Sequence, residues 1–213
     1  MKKVYFISGL GADKRVFSFL DLSFCEPVYI DWIPPEKNET LENYATRLRG
    51  LIDEPKPTIV GISFGGMLAT EMAKRDPSIN AILMASSKTA SEIPRYLKAA
   101  RYFPFFNWVP PGLLKRSTYL VKQMVGRNDP DQKRILLDII RDSDMLFVKW
   151  AMNAILRWKN TEVPGNIIHI HGTADRILPY RLVHSDYTIQ GGSHVLPMDQ
   201  HAEISALLKK LVG

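Results

Sequence analysis

Short, uninterrupted apolar runs alternate along this chain with stretches of helical periodicity. Val4–Ile7, Val28–Trp32, Pro57–Ile62, Ile79–Met84, Ile167–Ile170 and Tyr187–Ile189 read as strands, the last being the weakest. Runs of this kind show no polar face. That is the habit of parallel strands buried on both sides by helices. Between them, Thr40 is placed to cap a helix, with Asn43 standing where a capping box would carry Glu or Gln. Leu41, Tyr44, Ala45, Leu48, Leu51 and Ile52 then follow at helical spacing. Met67 to Lys74 is rich in strong helix formers. Ala202–Leu211 is amphipathic, with Ile204, Leu207, Leu208 and Leu211 on one stripe.

The alternation breaks once. Between Met84 and Ile167 the pattern predicts several helices in succession, around Tyr96, Tyr119, Leu136 and Ala151. Pro104, Pro110, Pro111, Pro130 and Pro164 punctuate them. The expected organisation is an α/β core from residues 1–86 and 161–213, with residues 87–160 inserted as a helical cap. The core is expected to be a mostly parallel six-stranded sheet with helices on both faces.

Composition narrows the class. A chain of 213 residues can bury one full core with a modest insertion. With 46% hydrophobic residues, no repeat and no long charge run, disorder is excluded as its general character. The single cysteine, Cys25, rules out an intrachain disulfide and reads as a small buried hydrophobe. A reducing, cytoplasmic location is the simple expectation. Lys2 and Lys3 before an apolar run mimic a signal peptide. The run is short, Asp13, Lys14 and Arg15 follow at once, and a buried first strand is the better reading. No apolar stretch approaches the ~20 residues needed to span a bilayer.

The net charge of +6 is unevenly placed. Residues 88–160 hold 14 Lys/Arg and 6 Asp/Glu, a balance of +8, and the rest of the chain carries −2. No nucleic-acid-binding module accompanies this basic excess. A solvated helical face explains it, and a small-molecule substrate is the expected partner. Oligomeric state is not legible.

The candidate chemistry starts at Gly61-Ile62-Ser63-Phe64-Gly65, a G-x-S-x-G pattern directly after one expected strand and directly before a helix. A sharp strand-to-helix turn lifts the serine hydroxyl above the sheet edge. The glycines remove side chains that would collide there. The helix start aims amide N–H groups at the same place, which favours a developing oxyanion.

A serine hydroxyl needs a base. Of five histidines, His194 stands out, because Gly191-Gly192-Ser193-His194 is a loop after the last strand, where ligands gather in open α/β sheets. His169 and His171 share one face of a strand without an apparent third metal ligand and read as structural. His184 and His201 read as ordinary, partly exposed histidines. Asp175 follows the penultimate strand and is placed to orient the imidazole. The order Ser63, Asp175, His194 is the nucleophile, acid, histidine order of one hydrolase architecture.

With these residues in hand, the chain resembles the α/β-hydrolase family over roughly residues 2–87 and 166–212. The resemblance rests on Ser8-Gly9-Leu10-Gly11, Gly61-Ile62-Ser63-Phe64-Gly65-Gly66, His171-Gly172-Thr173-Ala174-Asp175 leading to Pro179, and Gly192-Ser193-His194. It implies that the backbone N–H groups of Leu10 and Phe64 form the oxyanion hole and that the insertion caps the site. Two departures stand out. Many members carry His-Gly where this chain has Ser8-Gly9. The two leading strands common in the family are also missing, so a compact six-stranded form is expected.

The leading expectation is hydrolysis of a small carboxylic ester or related acyl compound through an acyl-enzyme, with no metal and no organic cofactor. The same constellation serves lyases and carbon–carbon bond hydrolases, and a catalytically silent binding module shares the fold. A nucleotide-binding reading of Gly9-x-Gly11 fails at Lys14, where the fingerprint has a third glycine.

Overall fold

The computed structural model describes residues 1–99 and 130–213. The helix expected around Tyr119 lies outside those residues.

Among the described residues six strands form one sheet: β1 (Lys3–Ile7), β2 (Glu26–Ile30), β3 (Thr58–Ile62), β4 (Asn80–Met84), β5 (Ile167–Gly172) and β6 (Tyr187–Ile189). Their order is β2-β1-β3-β4-β5-β6. Among the described residues every neighbouring pair is parallel, in keeping with the expected six-stranded sheet. From β1 the chain moves outward to β2 and then crosses to β3 on the other side of β1. The carboxyl ends of β1 and β3 therefore flank the point where the strand order reverses, the usual ligand crevice of such sheets.

The helices among the described residues are α1 (Leu41–Arg49), α2 (Phe64–Arg75), α3 (Arg95–Ala99), α4 (Pro130–Asp142), α5 (Met145–Arg157), α6 (Leu196–Asp199) and α7 (His201–Val212). Thr40 caps α1 by accepting the Asn43 amide at 3.3 Å. The helix ends at Gly50, earlier than the apolar spacing suggests, and leaves Leu51 52% exposed. Glycine gives up helical backbone entropy that Leu51 and Ile52 alone do not restore. None of these helices is long and apolar enough to cross a membrane.

Alternate strand residues feed two cores. Tyr5, Ile7, Ile59, Ala81 and Leu83 face α1 and α2. Val4, Phe6, Val60, Ile82 and Met84 face α7. This is the period-two consequence of the pleat, with both faces covered. Truncating a wholly buried residue such as Leu83 to alanine would cost about 2–5 kcal/mol. Cys25 is buried, as its hydrophobic reading requires.

The second half of the inserted segment packs on this core. Ring centroids lie 4.8 Å apart for Trp32 and Phe147 and 4.5 Å apart for Tyr44 and Trp150. Trp158, just past α5, donates its indole N–H to the buried carboxylate of Glu71 on α2 at 2.8 Å. Lys74 reaches Asn160 at 2.9 Å. The large apolar residues Tyr102, Phe103, Phe105, Phe106, Trp108 and Tyr119 of the segment between β4 and β5 lie outside the described residues.

Candidate active site

The turn after β3 puts Ser63 at φ 52°, a left-handed conformation that a non-glycine residue holds only when its surroundings compel it. Those surroundings are visible. The Ser63 amide donates to the Met84 carbonyl at 2.9 Å. Its carbonyl accepts from Gly66 N at 3.0 Å and from Ser86 Oγ at 2.7 Å. A Cβ on Gly65 would run into the carbonyl oxygens of Ile7 and Ser8, and a Cβ on Gly61 would lie 2.5 Å from the Gly65 oxygen. Absent side chains thus let the start of α2 press onto the end of β1. The helix begins at Phe64, three residues before its strongest helix formers, because this turn launches it.

His194 lies 131 residues away in sequence, yet its Nε2 is 2.9 Å from Ser63 Oγ. Its Nδ1 is 2.7 Å from Asp175 Oδ2. An ionised carboxylate only accepts, so Nδ1 carries the proton and donates to Asp175. Nε2 is then left as the acceptor for the Ser63 hydroxyl. Both the imidazole and the carboxylate are buried. Burial pushes the Asp175 carboxyl up, but the charge and N–H of His194 and the Leu178 amide outweigh it, and the net shift is downward. Its other oxygen, Oδ1, accepts the amides of Ile177 and Leu178 at 2.8 Å each.

The histidine loop has its own support. Asp199 accepts the Ser193 amide at 2.8 Å. Burial holds the Asp199 carboxyl above the usual carboxylate range.

Gly9 approaches the nucleophile loop closely, since a Cβ there would be 3.4 Å from Ser63 Cβ. Leu10 follows it, and among the described residues neither the Leu10 nor the Phe64 amide has an acceptor. The residues singled out from sequence therefore converge on one sheet edge. Leu10 follows β1, Ser63 and Phe64 follow β3, Asp175 follows β5 and His194 follows β6.

Sequence reading missed the supports. Ser8 Oγ and the Trp32 indole both donate to the Ala12 carbonyl, each at 2.8 Å. The departure from His-Gly at Ser8 was the available signal for the first; nothing local marks Trp32 or Ser86. His169 and His171, read as structural, lie wholly buried in β5. No cluster of potential metal ligands occurs among the described residues. His184 and His201 are exposed.

The model of the alpha/beta hydrolase family matches residues 4–207. No curated protein matches the chain. Among solved structures, an esterase from Exiguobacterium antarcticum superposes with a TM-score of 0.77 at 14% identity, over 100% of this chain and 92% of its own. An esterase from Thermogutta terrifontis gives 0.73 at 18% identity, over 100% and 89%. A meta-cleavage product hydrolase from Pseudomonas fluorescens gives 0.69 at 17% identity, over 100% and 90%. At these identities the likeness concerns the fold.

Proposed function

This chain belongs to the alpha/beta hydrolase family, and we propose that it hydrolyses small carboxylic esters or related acyl compounds through a Ser63–His194–Asp175 triad. The observation that carries the reading is the unbroken hydrogen-bonded line from Ser63 Oγ through both nitrogens of His194 to Asp175 Oδ2. It begins on a serine in a strained backbone conformation. The esterases of the same fold are consistent with this chemistry.

In this reading Ser63 Oγ attacks the acyl carbon as His194 Nε2 takes its proton. Asp175 keeps the imidazole in the Nδ1–H tautomer and stabilises the imidazolium. The amides of Leu10 and Phe64 receive the oxyanion. His194 then protonates the departing alcohol oxygen. Water, deprotonated by the same nitrogen, releases the acid and restores Ser63. Residues 87–160 act as the cap that selects the substrate.

The test is labelling with a fluorophosphonate probe, followed by a panel of short- and long-chain aryl esters. Labelling that is lost in Ser63→Ala, together with ester turnover, supports the reading. Labelling without turnover of any ester points to lyase or carbon–carbon bond chemistry. No labelling means Ser63 is not an activated nucleophile.

A further inference from the structure

We propose that His171 is a positioning residue for this site, a neutral imidazole in β5 that holds the Asp175 carboxylate and the turn following it in the geometry His194 requires. The inference rests on the triad reading above and deepens it.

The tautomer follows from the neighbours. His171 Nε2 lies 2.8 Å from the Leu178 carbonyl oxygen and 3.4 Å from Asp175 Oδ2. Both are acceptors, so Nε2 must carry a proton; a lone pair there would face two oxygens. Asp175 Oδ2 is the same oxygen that receives the His194 N–H. Leu178 meanwhile uses its amide on Asp175 Oδ1. One imidazole N–H thus touches the carboxylate and clamps the carbonyl of the residue whose amide holds that carboxylate's other oxygen.

The other nitrogen is accounted for as well. His171 Nδ1 is 3.2 Å from His169 Nε2. With Nε2 protonated, the neutral His171 ring accepts at Nδ1, and His169 Nε2–H donates to it. His169 Nδ1 is then a buried lone pair without a partner among the described residues. A charged His171 would set a second N–H against the His169 Nε2–H, so this tautomer of His169 goes with a neutral His171. Burial acts in the same direction: it lowers His171 and takes His169 down to about 3. Asp175, His194, Glu92 and the Tyr180 ring face His171, while Lys88 and Asp175 act on His169, whose amide donates to Asp186 at 2.7 Å.

A neutral donor has a specific use here. It steers the carboxylate and withdraws some electron density from it without adding a positive charge beside His194. A lysine or arginine in the same place would hold Asp175 more tightly but would oppose formation of the imidazolium.

The test compares His171→Leu, which fills space without a donor, with His171→Gln, which offers an amide N–H. In His171→Leu, kcat for an aryl ester is expected to fall roughly tenfold with little change in KM, about 1.4 kcal/mol of transition-state stabilisation. The midpoint of the acid limb of kcat/KM should move upward, because the relieved carboxylate attracts the His194 proton more strongly. His171→Gln should recover part of both changes. Loss of stability alone, expected because His169 loses its acceptor, is read separately by thermal melting. An unmoved acid limb and unchanged kcat in His171→Leu overturn the proposal. If that variant does not fold, nitrogen NMR of the intact protein decides. His171 protonated on Nε2 alone at neutral pH supports the proposal, and protonation on Nδ1 overturns it. Fluorophosphonate labelling of the wild type separates the two failures. No labelling removes the triad reading itself, whereas labelling with an indifferent His171 removes only this inference.

Discussion

The Trp32 indole N–H donates a 2.8 Å hydrogen bond to the main-chain carbonyl of Ala12. Ser8 Oγ reaches the same oxygen at 2.8 Å, and the Ala12 amide turns back onto Gly9 at 2.9 Å. Gly11 completes the turn at φ 67°. The loop that carries Leu10, whose amide the proposed mechanism assigns to the oxyanion hole, is thus pinned at its far end by two side chains. Trp32→Phe keeps an aromatic ring, though a smaller one, and loses the donor, and Ser8→Ala loses the other. Each is expected to lower kcat about tenfold, less than the 10²–10³ of deleting an oxyanion donor outright. KM and kcat for a short aryl ester check this. A larger effect on KM than on kcat would assign the pair to substrate binding instead.

The triad makes the sharpest prediction. Ser63→Ala and His194→Ala should each reduce kcat by several orders of magnitude, and the double variant should be no worse than either, because the groups act as a unit. Asp175→Asn should fold and lose up to roughly 10⁴ in kcat, because its amide can donate to His194 and so favour the wrong tautomer. Steady-state kinetics on purified variants of matched thermal stability test all three. A silent Asp175→Asn would mean that another group orients His194.

Across pH 5 to 8 activity should climb as pH rises, since only neutral imidazole can serve as base. Asp175 is held below its ordinary range, so it is ionised throughout that window and adds no inflection there. The check is kcat/KM from pH 5 to 8. A flat profile in both acylation and deacylation would exclude a histidine base.

The buried pair in β5 predicts an acid-sensitive fold. His169 is lowered from 6.5 to about 3 by burial, with His171 the next contributor. Between those values the unfolded chain binds a proton that the native state refuses. Stability therefore rises with pH across that interval and is lost as pH falls, at up to about 1.4 kcal/mol per pH unit for each such group. Denaturant midpoints measured from pH 7 to 4 should slope steeply, and His169→Phe should flatten the slope. An equal slope in the variant would place the acid sensitivity elsewhere.

The basic balance of residues 88–160 predicts charge steering. An anionic ester should show a higher kcat/KM than a neutral one of equal size at low salt, and the advantage should shrink at high salt. Equal rates at both salt concentrations would leave the charge as a solubility feature.

Much of this molecule is local in origin, and local features are what a sequence displays. Six apolar runs declare six strands because parallel strands are covered on both faces by helices, the edge strands β2 and β6 least completely. Gly61-Ile62-Ser63-Phe64-Gly65 declares its turn because only those glycines permit it. The order of Ser63, Asp175 and His194 is legible because each lies in the turn or loop that follows a strand, and a parallel sheet gathers such ends at one edge. The order of the strands in the sheet and the early end of α1 at Gly50 were not legible, since pairing and termination depend on neighbours distant in the chain. The supports of the site were not legible at all. Ser86 beneath the Ser63 carbonyl, Trp32 on Ala12, Asp199 on the Ser193 amide and His171 on Asp175 are contacts between groups whose residue types have many other uses. Their roles come from packing, which excludes water and leaves each buried polar atom only those partners the fold brings within reach.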